Sequence, residues 1–507
     1  MQLVAYGAQD IYLTGNPQIT FFKVVYRRHT NFSMETIQQT INGASTLTDT
    51  EGSGSVTISR NGDLVHKVYV SVTNAGVING SKIVKYAELE IGGQRIDKHT
   101  SAWNEAWNEL STPESKAIGL KSMQSCIGTS GTIPPTHTVI SNEINQVQVP
   151  LNFWFCRNPG LALPLIALQY HEVKIKFVWG AFSDVGTATG ASCVVMADYI
   201  YLDTDERRRF AQVSHEYLIE QLQEQSGTTP SDGRALSMKL NFNHPVKELI
   251  WTLPSDVKMN EVVLKLNGHE RFSKQSDDYF TLRQPFDYHT SVPRQNLPLA
   301  ARKVTRILDN QSPTVLLDPT TYARSSNDVT TINFAAGDLD TLGAMVVGDV
   351  VLLTVTAADT AVGLGSGSNG SEVGTSFIAS LTAAYATGTG TSITFANGAQ
   401  SSIITANTKL TAHGDSAHAS DKIVVSKLSN GTFNSARTSK ATDRIGVYSF
   451  ALKPEEHQPS GTCNFSRIDN AVLSGTTTKN GTSVTVYAVN YNVLRIMSGM
   501  GGLAYSN

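Results

Sequence analysis

The chain has 507 residues, of which 40% are hydrophobic and 16% are charged, and its formal net charge is −3 at pH 7. This length predicts two or more domains, and the near-neutral charge excludes a protein that coats nucleic acid, which would carry a basic excess. A low net charge also limits repulsion between copies, so it suits a protein that packs densely against itself.

The cysteines exclude two common classes of site. There are four of them, far apart in the sequence and without a C-x-x-C pair: Cys126, Cys156, Cys193 and Cys463. A zinc knuckle and a thioredoxin-like site both need closely spaced cysteines, and a disulfide scaffold of this length needs more of them. We therefore expect a reducing compartment.

The N-terminal residues MQLVAYGAQDIYLTG do not resemble a signal peptide, because they lack a basic start and a continuous apolar run. The longest strongly apolar stretch, LALPLIAL at 161–168, is too short to cross a bilayer. We expect a soluble chain with no transmembrane segment that does not follow the usual secretory route.

Alternation of apolar and polar residues dominates the chain and predicts strands that bury one face. It is clear in HKVYVSV (66–72), EVKIKFVW (172–179) and VTVYAVNYNVLRI (484–496). Such two-faced strands are typical of antiparallel sheets. Helical periodicity is scarce, and the best candidate for a helix is DERRRFAQVSHEYLIEQLQEQ at 205–225.

Segments of the first half recur in the second half in the same order. ELEIGGQRID (88–97) resembles VLKLNGHERF (263–272), and each predicts a hairpin, because Gly-Gly and Asn-Gly tolerate the positive φ of a tight turn. MADYIYLD (196–203) resembles AVNYNVLR (488–495), and LVHKVYV resembles PVKELIW nearer the start of each unit. The offset grows along the chain, which indicates an insertion of roughly 120 residues in the second copy.

Composition places this insertion at about 304–442, where the chain is rich in Ala, Thr, Gly and Ser. A bare linker of that length would be unusual in a folded protein. Runs such as GDVVLLTVTA and DKIVVSKL predict strands, so we expect the insertion to form a small β layer of its own.

The predicted fold class is all-β: two tandem eight-stranded jelly-roll β-sandwiches, a double jelly roll, with a large β-rich insertion in the second. Short strands separated by Gly and Pro turns favour sandwiches, and eight-stranded jelly rolls fit the size of the repeat. The predicted boundaries are an N-terminal arm at 1–24, a first jelly roll at 25–212, a linker at 213–236 that continues the helix, and a second jelly roll at 237–507.

The stretch QPSGTCNFSRIDN (458–470) places Cys463 near His457 and Asp469, the residue types of a nucleophilic site. No helix is predicted to begin there and lower the pKa of the thiol. We interpret Cys463 as a packed, inert thiol at the start of a strand.

The histidines and arginines offer two weaker candidates. The twelve histidines form neither of the metal-binding motifs H-x-H and H-E-x-x-H. The segment HGDSAH contains His413, Asp415 and His418, and we interpret it as a solvated loop in preference to a metal site. Three arginines in DERRRF (205–210) could bind phosphate, but the acidic residues around them favour local ion pairs or an intersubunit contact.

Glycine-rich pieces and paired tryptophans complete the candidates. GLGSGSNG (363–370) and GMGGLAY (499–505) lack the lysine of a phosphate-binding loop. We interpret Trp103 and Trp107 as a core staple, that is, two side chains that pack together in the core, in preference to a platform for a sugar. We therefore predict no catalytic, cofactor-binding or metal site, no cofactor, and a protein that is not an enzyme.

Several segments resemble the major capsid proteins of nucleocytoplasmic large DNA viruses. They are LVAYGAQDIYLTGNPQITFFKVVYRRHTNF (3–32), RNGDLVHKVYV (60–70), LPLIALQYHEVKI (163–175), SFALKPEEHQPSGTCNFSRIDN (449–470) and YNVLRIMSGMGGLAYSN (491–507). They extend from one end of the chain to the other, and the longer ones are highly specific. The stretch at about 304–442 is not covered by this resemblance.

The resemblance implies a double jelly roll, which agrees with the internal repeat, and a homotrimeric capsomer. Three chains with two sandwiches each would tile almost as a hexagon in the icosahedral shell of a virion assembled in the host cytoplasm. Expected partners are neighbouring capsomers and minor capsid and penton proteins, with the inner viral membrane nearby and no direct contact with nucleic acid. The N-terminal arm is expected on the inner face of the capsomer and the insertion on the outer face.

A different class of function stays open at this point. Tandem jelly rolls also occur in glycan-binding and glycan-processing proteins, and a fold does not fix a function. A lectin would show a defined pocket, and an enzyme would show carboxylates clustered in one cleft. A glycan-binding role for the insertion alone also stays open.

Overall fold

The predicted strands assemble into two β-sandwiches that follow each other along the chain. The structure is a computed structural model. It describes residues 7–9, 11–24, 26–73, 79–124, 146–185, 190–254, 257–297, 436–439 and 441–505. Within the insertion it describes residues 314–317, 321–325, 328–333, 336, 339, 350–357, 376–381, 383–390, 392–394 and 422–427.

The first sandwich is built from short strands. Its strands are β1 (Phe32–Gln39), β2 (Ile41–Gly43), β3 (Gly52–Thr57), β4 (Leu64–Thr73), β5 (Val84–Ile91), β6 (Gln94–Thr100), β7 (Gln146–Pro150), β8 (Leu163–Pro164), β9 (Val173–Trp179) and β10 (Ser192–Leu202). The helices up to its end are α1 (Ile11–Thr14), α2 (Ser101–Ser111), α3 (Glu114–Met123), α4 (Trp154–Arg157), α5 (Phe182–Val185) and α6 (Thr204–Gln212).

The second sandwich is interrupted by the insertion. Before it come β11 (His215–Thr228), β12 (Ala235–Leu240), β13 (Pro245–Leu253), β14 (Met259–Leu266), β15 (His269–Glu270) and helix α7 (Gln284–Tyr288). The insertion contains β16 (Thr314–Leu317), β17 (Thr321–Ser325), β18 (Asp328–Asn333), β19 (Val350–Ala357), β20 (Ser376–Ser380), β21 (Ser392–Thr394) and β22 (Lys422–Lys427). After it come β23 (Arg444–Ser449), β24 (Cys463–Asn464), β25 (Ala471–Thr477), β26 (Ser483–Met497) and β27 (Met500–Leu503).

The two sandwiches share one strand order. One sheet follows β1-β10-β4-β7 in the first and β11-β26-β13-β23 in the second, and the opposing sheets contain β3-β9-β5-β6 and β12-β25-β14-β15. When the eight matching strands are numbered along the chain, the sheets read 1-8-3-6 and 2-7-4-5 in both sandwiches. This agreement confirms the predicted double jelly roll and the predicted tandem repeat.

The cores lie between the paired sheets, as the alternation predicts. On β9, Val173, Ile175, Phe177 and Trp179 are buried, while Lys176 points to the surface. The two cores are not separate, because three apolar side chains of the second sandwich pack into the core of the first: Ile219, Leu494 and Ile496. The sandwiches therefore share a buried junction.

The two predicted hairpins form at the expected residues. β5 and β6 are joined through Gly92 and Gly93, with φ of 58° and 84°. β14 and β15 are joined through Asn267 and Gly268, with φ of 53° and 81°. Positive φ at both central residues is what a tight two-residue hairpin turn requires.

The predicted helix at 205–225 forms only over its first part, and most of its second part, which falls in the predicted linker at 213–236, is a strand. Helix α6 ends at Gln212, and β11 then pairs with β26 along its whole length, from His215↔Ile496 to Thr228↔Ser483. Leu, Glu and Gln favour a helix locally, but pairing with β26 and burial of Ile219 outweigh that weak preference. The other predicted boundaries remain predictions.

Among the described residues, no helix is long and apolar enough to cross a membrane.

The insertion lies between the fifth and sixth matching strands of the second sandwich, β15 and β23. Its described strands form two small antiparallel sheets, β16-β22-β19-β20 and β17-β18-β21. The runs GDVVLLTVTA and DKIVVSKL contain β19 and β22. The prediction that the insertion forms a β layer of its own is therefore confirmed for the described residues.

Candidate functional site

Helix α2 forms much of the contact between the two sandwiches. Thr100 caps its first turn by accepting a hydrogen bond from the backbone N–H of Trp103, at 3.4 Å. Trp103 and Trp107 stack with ring centroids 5.6 Å apart. Both pack against apolar side chains of the second sandwich: Ile250, Ile445, Val447, Tyr487 and Val489. The predicted core staple is confirmed, and burial leaves no ring face exposed to a sugar.

Glu220 on β11 is a buried carboxylate that joins the sandwiches electrostatically. Its Oε2 lies 2.9 Å from Nη1 of Arg157 in the first sandwich, and its Oε1 lies 2.7 Å from Nζ of Lys247 on β13. Burial opposes the ionisation of Glu220, but the two cations outweigh it and lower its pKa to about 2. Burial also lowers the pKa of Lys247, and Glu220 counteracts that effect.

His289 lies between two further carboxylates at the same junction. Its Nε2 is 3.0 Å from Oε2 of Glu248 on β13, and its Nδ1 is 2.9 Å from Oε1 of Glu455. Burial disfavours the charged ring, but the carboxylates outweigh it and raise the pKa of His289 to about 9. At neutral pH the ring is therefore an imidazolium that bridges β13 and the loop after β23.

Both ends of the insertion are fixed close to this junction. Before the insertion, the side chain of Asn296 donates to the carbonyl of Ile445 (2.7 Å) and accepts from its N–H (3.0 Å). Near the end of the insertion, the backbone N–H of Arg437 donates to both carboxylate oxygens of Glu109 on α2, at 2.9 and 2.7 Å. The guanidinium of Arg437 also pairs with Glu114, at 2.9 Å. Residues outside the insertion therefore hold both of its ends in place, and we call these contacts the clamp.

The structure does not assemble the predicted nucleophile candidates into a site. Cys463 begins β24, pairs with Val246 and is half-buried, which raises the pKa of its thiol. His457 instead faces Glu220, with Nδ1 and Oε1 3.9 Å apart. The backbone N–H of Asp469 donates to Asn267, at 3.0 Å. The three residues have different neighbours, in agreement with a packed thiol.

The remaining candidates are placed as follows. Arg207 pairs with Asp63 (Nε to Oδ1, 2.9 Å), which is distant in the sequence, so this arginine forms an ion pair within the chain but not with the acidic residues next to it. His413, Asp415, His418, Cys126 and the glycine-rich run at 363–370 lie outside the described residues. In the part of the chain that is described, no group of three His, Cys, Asp or Glu side chains is placed to hold a metal ion.

Two clefts open along the junction, with volumes of about 360 and 500 Å³. Arg157 and Glu455 line both of them, and Glu220 lines the larger one. Glu220 is already neutralised by Arg157 and Lys247, and Glu455 by His289. The arrangement therefore holds the two sandwiches together and leaves neither carboxylate free to act as an acid or a base.

Sequence reasoning missed this ion cluster, whose members are distant in the chain: Arg157, Glu220, Lys247, Glu248, His289 and Glu455. One signal was present. In VKELIW (246–251), a lysine and a glutamate interrupt a run of apolar residues that all become buried on β13. Buried charges need partners, so such an interruption predicts ion pairs with other segments. The identity of those partners depends on the fold.

Comparisons with known proteins agree with this architecture. A family profile described as the N-terminus of the major capsid protein matches residues 20–218. A second, described as the large eukaryotic DNA virus major capsid protein, matches residues 206–261 and 432–502. The gap in the second match contains nearly all of the predicted insertion.

Individual relatives match over the full chain. The major capsid protein of Pyramimonas orientalis virus is 43% identical over 528 residues, covering 100% of this chain and 99% of the relative. That of Paramecium bursaria Chlorella virus 1 is 34% identical, with the same coverage. A quasi-atomic model of the PBCV-1 virus capsid superimposes with a TM-score of 0.57 at 28% identity, covering 96% of this chain and 100% of that one.

Two jelly rolls of identical strand order in one chain, joined through a buried ionic junction, define the class of double jelly-roll proteins. Within that class, the profile matches and the full-length relatives decide the family. The chain belongs to the major capsid proteins of large eukaryotic DNA viruses. It is a structural protein of the capsid and not an enzyme.

Proposed function

We propose that three copies of the chain associate into a capsomer of nearly hexagonal outline and that such capsomers tile an icosahedral shell. The observation that carries this proposal is the repeated strand order, which gives each chain two similar sandwiches. Three chains in a closed ring then present six similar units, and cyclic symmetry satisfies every contact within the ring.

The shared junction supports this proposal, because each chain in such a ring must keep its two sandwiches at a fixed angle. Trp103 and Trp107 provide apolar packing between them, and the ion pair between Arg157 and Glu220 links them electrostatically. Together they make the chain one rigid building block, which regular tiling requires.

We also propose the placement of the two outlying segments. The N-terminal arm lies on the inner face of the capsomer, and the insertion lies on the outer face. Exposed apolar side chains on the arm, such as Phe21 and Phe22, support a contact outside the chain's own fold. Neighbouring capsomers and minor capsid and penton proteins are the proposed partners, and the host cytoplasm is the proposed place of assembly.

The glycan-binding or glycan-processing alternative is not favoured. The full-length relatives carry the names of capsid proteins, and the carboxylates that line the two clefts are paired with cations.

The mass of the purified chain in solution tests the proposed capsomer. Sedimentation or mass photometry at micromolar concentration should give a species three times the chain mass of 54.7 kDa. A stable monomer under these conditions would contradict the trimer. A dimer would contradict it too, because two chains give four sandwiches and cannot form a ring of six.

A further inference from the structure

The segment at residues 11–28, called the arm below, contains most of the predicted N-terminal arm and the next four residues, and it differs in composition from the rest of the chain. It carries three basic residues within six positions, Lys23, Arg27 and Arg28, and no aspartate or glutamate. The whole chain, by contrast, has a formal charge of −3. A positive segment on a slightly negative protein favours an anionic partner.

The arm also concentrates exposed apolar side chains. Of the nineteen large hydrophobic residues that are exposed among the described residues, eight lie in the arm: Ile11, Tyr12, Leu13, Ile19, Phe21, Phe22, Val24 and Tyr26. Phe22 and Val24 are 97% and 98% exposed. Together these side chains expose on the order of 1,000 Å² of apolar surface, more than the largest patch of an ordinary monomer.

The basic residues of the arm have no ionic partner within the described part of the chain, where the ion pairs of lysine and arginine involve other residues. Lys23, Arg27 and Arg28 are all exposed. Their charge is therefore available to a surface outside the chain.

This combination identifies the chemistry of the partner. Nucleic acid would satisfy the cations but would leave Ile11, Leu13, Ile19 and Val24 in water, because phosphate and sugar offer no apolar phase. A groove that binds an amphipathic helix is not supported either, because only one short helical turn, Ile11–Thr14, is present in the arm. An anionic bilayer accepts both components without regular structure, since aromatic side chains enter the headgroup region while basic ones remain at its surface.

We propose that residues 11–28 form a peripheral membrane-binding arm that lies in the interface of an anionic bilayer. Phe21, Phe22 and Tyr26 supply the apolar contact, and the three cations supply the electrostatic attraction. The arm binds without crossing the bilayer. This inference extends the proposed inner position of the arm, but it requires only that the arm be accessible and does not depend on the trimer.

Flotation of the purified full-length chain with lipid vesicles tests the proposal. Vesicles of phosphatidylcholine with about one-third phosphatidylserine should carry the chain upward, and pure phosphatidylcholine vesicles should carry far less. The triple variant K23Q/R27Q/R28Q should weaken partitioning onto the anionic vesicles by on the order of 100-fold, because each basic residue near such a surface contributes roughly fivefold. The variant F21S/F22S should weaken it by at least about tenfold.

Matched variants elsewhere control for general charge and hydrophobicity. K116Q/R208Q/R209Q removes three exposed cations outside the arm, and F286S/L452S removes two exposed apolar side chains, which are 77% and 73% exposed. Neither should change vesicle binding. Light scattering on the same samples reports the oligomer, so a failed trimer and a failed arm give different results.

The proposal is overturned if the chain does not float with anionic vesicles, or if the arm variants float as well as the unmodified chain. Equal binding to neutral vesicles would also overturn it, because the cations would then have no role. Binding of duplex DNA in place of vesicles at the same ionic strength would assign the arm to nucleic acid and exclude the membrane.

Discussion

Glu220 is the residue on which the junction between the sandwiches depends most, because it neutralises cations from both sides. Arg157 belongs to the first sandwich and Lys247 to the second, and the Lys247 side chain is completely buried. A buried cation without a partner is very unfavourable, whereas most exposed ion pairs contribute little to stability. The pairs formed by Glu220 and Glu216, both on β11, should therefore differ strongly in their contribution.

We expect Glu220→Gln to lower the free energy of unfolding by about 3–5 kcal/mol, because it removes the carboxylate that pairs directly with the buried Lys247. The matched control is Glu216→Gln, which removes an exposed pair with Arg495 and should change stability by less than about 1 kcal/mol. Urea unfolding of both variants measures the difference. Equal effects of the two substitutions would show that the junction does not depend on this charge.

His289 gives the stability of the second sandwich a defined dependence on pH. Its pKa is about 9 in the folded chain, against an ordinary value of 6.5. A raised pKa means that the folded state holds the proton more tightly, so the stabilisation is fully present below about pH 6.5 and is lost as the pH rises through 9. The groups that face the ring are Glu248 and Glu455, and Glu220, Lys247 and Arg157 lie near them in the same cluster.

We expect the unmodified chain to lose on the order of 3 kcal/mol more stability than His289→Gln between pH 6.5 and pH 9.5. Taking the difference between the two proteins removes the contribution to the free energy of unfolding of all groups that titrate equally in both. Chemical denaturation at a series of pH values measures this difference. Parallel pH profiles for the two proteins would mean that the ring is not protonated in the folded state.

At the scale of elements, most strands could be predicted from alternation, because each buries one face. β9 and the hairpin at Gly92–Gly93 are clear examples. β11 could not, because its residues favour a helix and only pairing with β26 makes it a strand. The ion cluster could not be predicted either, since partners as distant in the sequence as Arg157 and Glu220, or His289 and Glu455, meet only after the chain has folded.

The insertion is an element whose removal can be predicted. Because Asn296 binds Ile445 and Arg437 binds Glu109, its two ends are held in place by residues outside it. Replacing residues 300–434 with a short Gly-Ser linker should leave the double jelly roll folded and the trimer intact. Mass photometry and thermal unfolding measure this result.

A second deletion variant makes the role of the clamp visible. The same deletion combined with Arg437→Ala removes the guanidinium beside the buried Glu109 but keeps the backbone N–H that donates to it. It should therefore be less stable than the deletion alone by about 2 kcal/mol, the contribution of a hydrogen bond to a charged group. If the simple deletion dissociates into monomers, the insertion is part of the trimer contact. If Arg437→Ala has no added effect, the clamp does not hold the ends.

At the scale of the whole molecule, the repeated strand order and the rigid junction have one common consequence. Each chain is a pair of similar wedges, and three chains can approximate sixfold symmetry although they have only threefold symmetry. Near-neutral charge on the chain limits repulsion when such rings pack edge to edge. Duplication of one sandwich is thus the physical basis of the proposed shell.

Electron cryo-microscopy of the purified oligomer tests this claim most directly. Top-view class averages should show a closed, nearly hexagonal ring of six similar lobes, of which each chain supplies two neighbouring ones. A ring with three lobes, or one in which the two sandwiches of a chain are not neighbours, would contradict the account.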